Sequence, residues 1–156
     1  MLDFSVRKSR NGMGLFSNKK FKKGALVMET MGKLATTEEL SNYPDRFSEY
    51  SLQIGENMYL GADGGIDDYI NHSCDPNCGI IENDGTFYLK VIKDISGGEE
   101  ITFDYSTDVS DGWEMECDCG EKKCRGKISN FSDLPKKTRE RYIKLGVVPK
   151  FILGSN

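Results

Sequence analysis

The sequence predicts a mostly β fold with short helices, on three observations. Its apolar runs are short and separated by Gly, Asn and Asp; glycine is abundant, at 17 of 156 residues; and helical patterning is confined to one short turn and one C-terminal segment. A chain of this length fits one domain that can bury a workable core.

Taken in order, Val6 to Phe16 reads as strand, Gly turn, strand, with the turn at Asn11-Gly12-Met13-Gly14. Lys19 to Lys23 is a basic, solvated stretch, and Gly24 to Met31 is a strand ended by Gly32. Thr36 or Thr37 is placed to cap a helical turn through Glu38, Glu39 and Leu40, which Tyr43-Pro44-Asp45 breaks. Tyr50 to Ile54 and Met58 to Leu60 alternate around Gly55-Glu56-Asn57 and predict a hairpin. Phe87 to Ile92 and Ile101 to Tyr105 are further strands around the Ser96-Gly97-Gly98 turn. Leu134, Thr138, Tyr142 and Leu145 recur at helical spacing, with Ser132 as cap, Pro135 in the first turn and the end at Gly146.

Lys plus Arg number 21 and Asp plus Glu 25, a net charge of −4. That balance lacks the basic footprint of a duplex binder, so direct nucleic-acid binding is not expected and a basic protein partner is favoured. The opening MLDFSVRKSRNGMG has no signal-peptide core, and no apolar run reaches membrane-spanning length. The expectation is a soluble intracellular protein, cytoplasmic or nuclear, with no membrane partner. Five cysteines in such a chain argue against a disulfide framework.

Cys117-Asp118-Cys119-Gly120 followed by Cys124 places three soft ligands on a tight loop, and a tetrahedral structural zinc site needs a fourth. Cys74 and Cys78 are the thiol candidates, with His72 as a nitrogen alternative. Lys122, Lys123 and Arg125 would offset the charge of four thiolates. Gly12-Met13-Gly14 by itself only turns the chain, since it lacks the third glycine and following helix of a dinucleotide site. Asn71-His72-Ser73-Cys74-Asp75-Pro76-Asn77 is denser in polar and reactive groups than an ordinary Asx-rich loop. A single histidine rules out any mechanism that needs two imidazoles.

Asn71 to Asn77, then Gly98-Glu99-Glu100-Ile101-Thr102-Phe103-Asp104-Tyr105, then the cysteine loop closing on Arg125-Gly126, together resemble the SET domain and its post-SET zinc motif. Gly12-x-Gly14-Leu15-Phe16 matches the opening of that family in order and spacing, so the resemblance runs from about Val6 to Gly126. It implies a β-clip type fold of small sheets in which the two long motifs cross in a knot-like arrangement, with a zinc-binding post-SET segment. The division it implies is a SET domain over 1–110, a post-SET zinc segment over 111–130 and a helical extension over 131–156.

The function implied is S-adenosylmethionine-dependent N-methylation of a lysine in a basic, histone-like protein tail, up to di- or trimethylation. Gly12, Met13, Gly14, Asn71 and His72 are carried over as cofactor residues, and Tyr105 as the active-site tyrosine that also meets the cofactor. Tyr50, in Tyr50-x-Leu52, and Phe103 are carried over to the lysine channel. Phe103 occupies a position where Phe favours higher methylation and Tyr limits it. Cys74, Cys117, Cys119 and Cys124 are the implied ligands of a structural zinc, leaving Cys78 free. Asp67, Asp68, Glu99 and Glu100 are acidic groups suited to attract a Lys- and Arg-rich tail.

Three places depart from the family pattern, one being the short insert before Tyr50 with no pre-SET zinc cluster expected ahead of the domain. Glu29-Thr30-Met31-Gly32 has Thr where an aromatic is usual, and Asp67-Asp68-Tyr69 replaces the common Ala-Arg-Phe. The rival reading from another class is a catalytically idle module that binds a basic peptide with the same fold. The presence of Tyr105 with the Asn71-His72 pair favours the enzyme.

Overall fold

A computed structural model describes residues 2–43 and 50–154. In chain order the strands are β1 (Phe4–Ser9), β2 (Gly12–Ser17), β3 (Leu26–Glu29), β4 (Lys33–Ala35), β5 (Leu52–Gly55) and β6 (Met58–Gly61). They continue as β7 (Asn71–His72), β8 (Cys78–Asn83), β9 (Thr86–Val91), β10 (Thr102–Phe103), β11 (Met115–Glu116) and β12 (Lys127–Ile128). The α-helices are α1 (Thr37–Ser41), α2 (Lys136–Leu145) and α3 (Lys150–Gly154).

The strands form small sheets, as the short alternating runs predict. β1 and β2 make an antiparallel hairpin closed at Ser9↔Gly12, where Gly12 takes a φ of +88° that an L side chain would resist. One three-stranded sheet runs β3-β9-β8 and another β4-β6-β5. The Asn71-His72 and Thr102-Phe103 segments lie side by side as a parallel pair, Asn71 opposite Thr102 and His72 opposite Phe103. β11 and β12 pair antiparallel and bracket the cysteine loop.

Alternation decides which side chains enter the core. Ile80, Leu89 and Val91 of the β8–β9 pair are shut off from solvent, with Leu15 and Ile101 among them. Burying each such side chain contributes roughly 1.5–3 kcal/mol. A second core holds Phe131, Leu134, Tyr142, Val147 and Ile152, which seats the C-terminal helices on the sheet. Gly79 permits that seating, since a Cβ there would lie 2.5 Å from Val147 Cβ.

Several expectations are met and others corrected. Thr36 caps α1 through a reciprocal capping box with Glu39. Of the expected break after it, Pro44 and Asp45 lie outside the described residues. α2 ends at Gly146 in the left-handed conformation, as read, but Ser132 is not its cap: Ser132 sits in a 3-10 turn over Phe131–Asp133, and Pro135 occupies the N-cap. Tyr50 and Ser51 precede β5 rather than opening it, and β10 stops at Phe103 because Asp104 caps a 3-10 turn over Tyr105–Thr107.

Candidate functional site

Two clefts meet at the parallel pair. The first, about 250 Å³, is lined by Tyr50, Leu52, Ile70, Phe103, Tyr105, Asp108 and Trp113, with Thr30, Met31, Asp67 and Asp68 also on its wall. The second, about 260 Å³, is lined by Ser9, Arg10, Asn11, Asn71, His72 and the carboxyl residues Asp75, Glu99, Glu100 and Glu121. Ile70 lines one and its neighbours Asn71 and His72 line the other, so this backbone is the wall between them.

Tyr105 is fixed at that wall. Its hydroxyl donates to the Ile70 carbonyl at 2.8 Å, and its ring meets His72 edge-on at 5.3 Å between centroids and Phe103 at 4.8 Å. Burial, reinforced by the nearby Asp108 and Tyr50, pushes the phenol well above its ordinary range, so Tyr105 is a hydrogen-bond donor and not a base. Phe103 is both a core side chain, 8% exposed, and part of the first cleft's wall. Tyr50 is exposed at the same cleft.

On the other side, the Asn71 amide donates to the Met13 carbonyl at 3.0 Å and to Glu100 Oε1 at 2.7 Å, and the Glu100 carboxylate also accepts from Ser9 Oγ. Gly14 is required by this approach. A Cβ there would collide with the Glu100 carboxylate and lie 2.9 Å from Asn71 Nδ2. Met13, Gly14 and Asn71 are thus brought together with Glu100, whose place here the sequence does not reveal, whereas Gly12 sits at the hairpin turn with nothing within 4 Å of where its Cβ would lie.

His72 faces both the wall and the cysteines. Its Nδ1 accepts the Tyr105 backbone N–H at 3.1 Å, so the neutral ring carries its proton on Nε2, 3.3 Å from Cys74 Sγ. Burial is the main reason its pKa falls to about 4. His72, Cys74, Cys117 and Cys119 place one ligand atom each within 4.8 Å of one another and could hold a metal ion. Cys117 Sγ lies 3.7 Å from the sulfurs of both Cys74 and Cys124. Four thiolates at 2.3 Å from a tetrahedral zinc have edges of about 3.8 Å, which these two distances match, while the group that closes within 4.8 Å holds His72 in place of Cys124. Backbone N–H groups of Arg125 and Gly126 point at Cys74 and Cys124 sulfurs, and the latter contact leads the fall of the Cys124 thiol to about 7. Cys78 is wholly buried in β8, where desolvation raises its thiol to about 12.

Arg125 bears on the Cys74 thiol through its charge and its backbone N–H, as expected, and it has a second role. Its guanidinium grips Asp104 at 2.8 and 2.7 Å. Asp104 also accepts from Tyr142 Oη at 2.9 Å and from the Ser106 amide, and its side chain is fully buried. The tyrosine motif, the cysteine loop and α2 therefore converge on one carboxylate. The four acids expected to attract a basic tail separate: Asp67 and Asp68 line the first cleft, whereas Glu99 and Glu100 belong to the second.

Two of the departures from the family pattern meet in space. Asp67 Oδ2 accepts the Met31 N–H at 2.8 Å, and Thr30 Oγ1 turns to the Phe87 carbonyl. Sequence reasoning missed Asp108 and Trp113, for which the available signal was the acid-rich turn Asp108 to Trp113 carrying the chain's one tryptophan.

With fold and site in place, comparison with known proteins agrees on the class. The sequence model of the SET domain matches residues 12–106. The chain belongs to the SET-domain family. It is 29% identical over 87% of its length to the Variant-silencing SET domain-containing protein of Plasmodium falciparum (isolate 3D7), of which it covers 6%. It is 31% identical over 78% of its length to Histone-lysine N-methyltransferase NSD3 of Mus musculus, of which it covers 9%. The chain thus spans under a tenth of these relatives. Among solved structures, it is similar to a humanized mutant of the Chaetomium thermophilum Polycomb Repressive Complex 2 bound to the inhibitor GSK343. That match has a TM-score of 0.60 and 26% identity, over 69% of this chain and 16% of the other. Among the described residues, no helix is long and apolar enough to cross a membrane.

Proposed function

We propose that the chain is an S-adenosylmethionine-dependent protein-lysine N-methyltransferase, with the first cleft taking the target lysine and the second the cofactor. The observation that carries this is the shared wall, where Tyr105 and the Ile70–His72 backbone separate an aromatic cleft from an acid-rich one. Reactants in the two clefts would approach from opposite sides, the direction an in-line transfer needs, and the reading requires that they meet through an opening beside Tyr105.

Lysine has a pKa of about 10.4 in water, so little of it is nucleophilic at neutral pH. Burial among Leu52, Ile70, Phe103 and Tyr105 disfavours the ammonium and lowers that value. Bound S-adenosylmethionine supplies an electrophilic methyl group. The Tyr105 hydroxyl and the Ile70 carbonyl it engages form fixed dipoles at the wall, which orient the amine without reorganising during reaction. Gly12, Met13, Gly14, Asn71 and His72 would hold the cofactor. Cys74, Cys117, Cys119 and Cys124 would hold one structural zinc, with His72 donating to Cys74 from outside the ligand set. Residues 1–110, 111–130 and 131–156 then serve as catalytic domain, zinc segment and helical support.

Asp67 and Asp68 on the cleft wall favour a basic substrate such as a histone-like tail. The test is incubation with radiolabelled cofactor and arginine-flanked lysine peptides. Label on the lysine nitrogen is expected, and cofactor binding by calorimetry without any transfer to peptide or lysate protein would favour the idle module.

A further inference from the structure

His72 helps to line the acid-rich cleft, yet both of its ring nitrogens meet residues that do not line it. The Tyr105 backbone N–H can only donate, so Nδ1, at 3.1 Å, accepts. Asp104 Oδ1 lies farther from Nδ1, at 3.5 Å, and already receives Arg125 and the Ser106 amide. The ring proton is therefore on Nε2, which faces Cys74 Sγ at 3.3 Å. A neutral histidine that ligates zinc through Nε2 carries its proton on Nδ1, where it would meet the Tyr105 N–H donor to donor. The Tyr105 bond thus takes His72 out of the ligand set, although its ring closes with Cys74, Cys117 and Cys119 within 4.8 Å, and leaves Cys124 to complete that set.

We infer that His72 is a positioning residue that links the cysteine cluster to the active-site tyrosine, its Nε2–H held by the Cys74 sulfur and its Nδ1 holding the Tyr105 backbone. The consequence for turnover rests on the lysine-methyltransferase reading; the two bonds do not. A Cys74 thiolate, the form that ligates metal, is a stronger acceptor for Nε2–H than the thiol, and the Arg125 N–H meets the same sulfur at 3.4 Å. The ring is 8% exposed and edge-on to the Tyr105 phenol at 5.3 Å, so it cannot shift in a packed interior without moving the tyrosine whose hydroxyl engages the Ile70 carbonyl. Both nitrogens being occupied, the ring has none to give the cofactor.

His72 is the chain's one histidine, so nitrogen-15 labelled protein gives a single set of imidazole signals. Loaded with cadmium-113 in place of zinc, wild type is expected to show a proton on Nε2 that is split by the metal through the Cys74 sulfur, and none on Nδ1. A proton on Nδ1 with Nε2 itself split would make His72 a ligand and overturn the inference. An unsplit Nε2 proton, or no uptake of cadmium, would overturn it too. Two substitutions divide the ring: His72→Asn places an oxygen near the position of Nδ1 and keeps only the Tyr105 arm, whereas His72→Gln places an N–H near that of Nε2 and keeps only the Cys74 arm. The Asn variant should weaken cadmium binding about tenfold in competition with a chelator, and the Gln variant by about twofold at most. Both should lower kcat on an arginine-flanked lysine peptide about tenfold while S-adenosylhomocysteine affinity changes by about twofold or less. Equal metal affinity in the two variants, or cofactor affinity lost with kcat retained, would refute the link. Wild type that shows the splitting but methylates no lysine keeps the link and defeats the enzyme reading, whereas methylation without the splitting defeats the link alone.

Discussion

Tyr142→Phe isolates the carboxylate at which the tyrosine motif, cysteine loop and α2 converge. The substitution deletes one hydroxyl from a side chain that is 1% exposed, with no change in the packed ring, so the effect is that of a single hydrogen bond to Asp104 at 2.9 Å. Burial, with Asp104 beside it, keeps the phenol protonated far above neutral pH, so the hydroxyl donates throughout the working range. Hydrogen bonds to charged groups are worth about 1.5–3 kcal/mol. The lower part of that range applies, because Asp104 Oδ2 keeps its 2.8 Å bond from Arg125 and is not orphaned. We expect a loss of about 1.5–2 kcal/mol in urea unfolding, with unchanged slope, and a fall in Tm of about 3–8 °C for a chain of this size. Arg125→Gln should cost more, about 3–5 kcal/mol, since it strips the buried carboxylate of its cation. A loss below about 0.5 kcal/mol for Tyr142→Phe would refute the claim that this bond helps hold α2 to the site.

The proposed zinc predicts one metal ion per chain by elemental analysis, and Cys119→Ser should lose it together with order in the loop from Cys117 to Arg125; full metal content in the variant would overturn the ligand set. Tyr105→Phe should lower kcat by about 10²-fold or more with little change in cofactor affinity, because its hydroxyl orients the amine at the wall. Unchanged turnover would remove that role. Phe103→Tyr should shift products from di- or trimethyllysine to mainly monomethyllysine in intact-mass time courses, since a hydroxyl on this wall would fix the amine and fill the space in which it turns. Identical product distributions would defeat the assignment.

How much of this was legible depended on whether the signal was local. The β1–β2 hairpin, the Thr36 capping box and the Gly146 stop of α2 rest on residues a few positions apart, and the pattern revealed them. β8 also carried a local signal that was passed over: Asp84-Gly85 joins it to β9, and both residues have positive φ, the turn chemistry of a tight hairpin. Ser132 misled because a good capping residue followed by proline looks alike whether it caps a helix or sits in the 3-10 turn before it. The parallel pairing of Asn71-His72 with Thr102-Phe103 joins segments about 30 residues apart, each only two residues long as strand, so no periodicity could reveal it. The resemblance implied it where the pattern could not. Asp108 was invisible for a further reason: what sets it apart is a buried Oδ1 without a partner, and sequence does not display vacancies in hydrogen bonding.

Matches and departures from the family pattern also divide by place. The matching Gly14, Asn71, His72 and Tyr105 gather at the wall and beside the acid-rich cleft, with Gly12 at the turn of the adjoining hairpin. Departures at Thr30-Met31 and Asp67-Asp68 lie together on the outer wall of the aromatic cleft, joined by the Asp67 to Met31 bond. The Asp67 side chain bonds the Met31 backbone while the Asp67 carbonyl accepts the Ile70 N–H at 3.1 Å, so a side-chain change there leaves the backbone bond to the wall in place. On the proposed methyltransferase reading, the arrangement separates the reaction from the choice of substrate. One set of residues is held by the crossing motifs and the Asp104 network, and the other by a surface hydrogen bond that can be rewritten at little cost to stability.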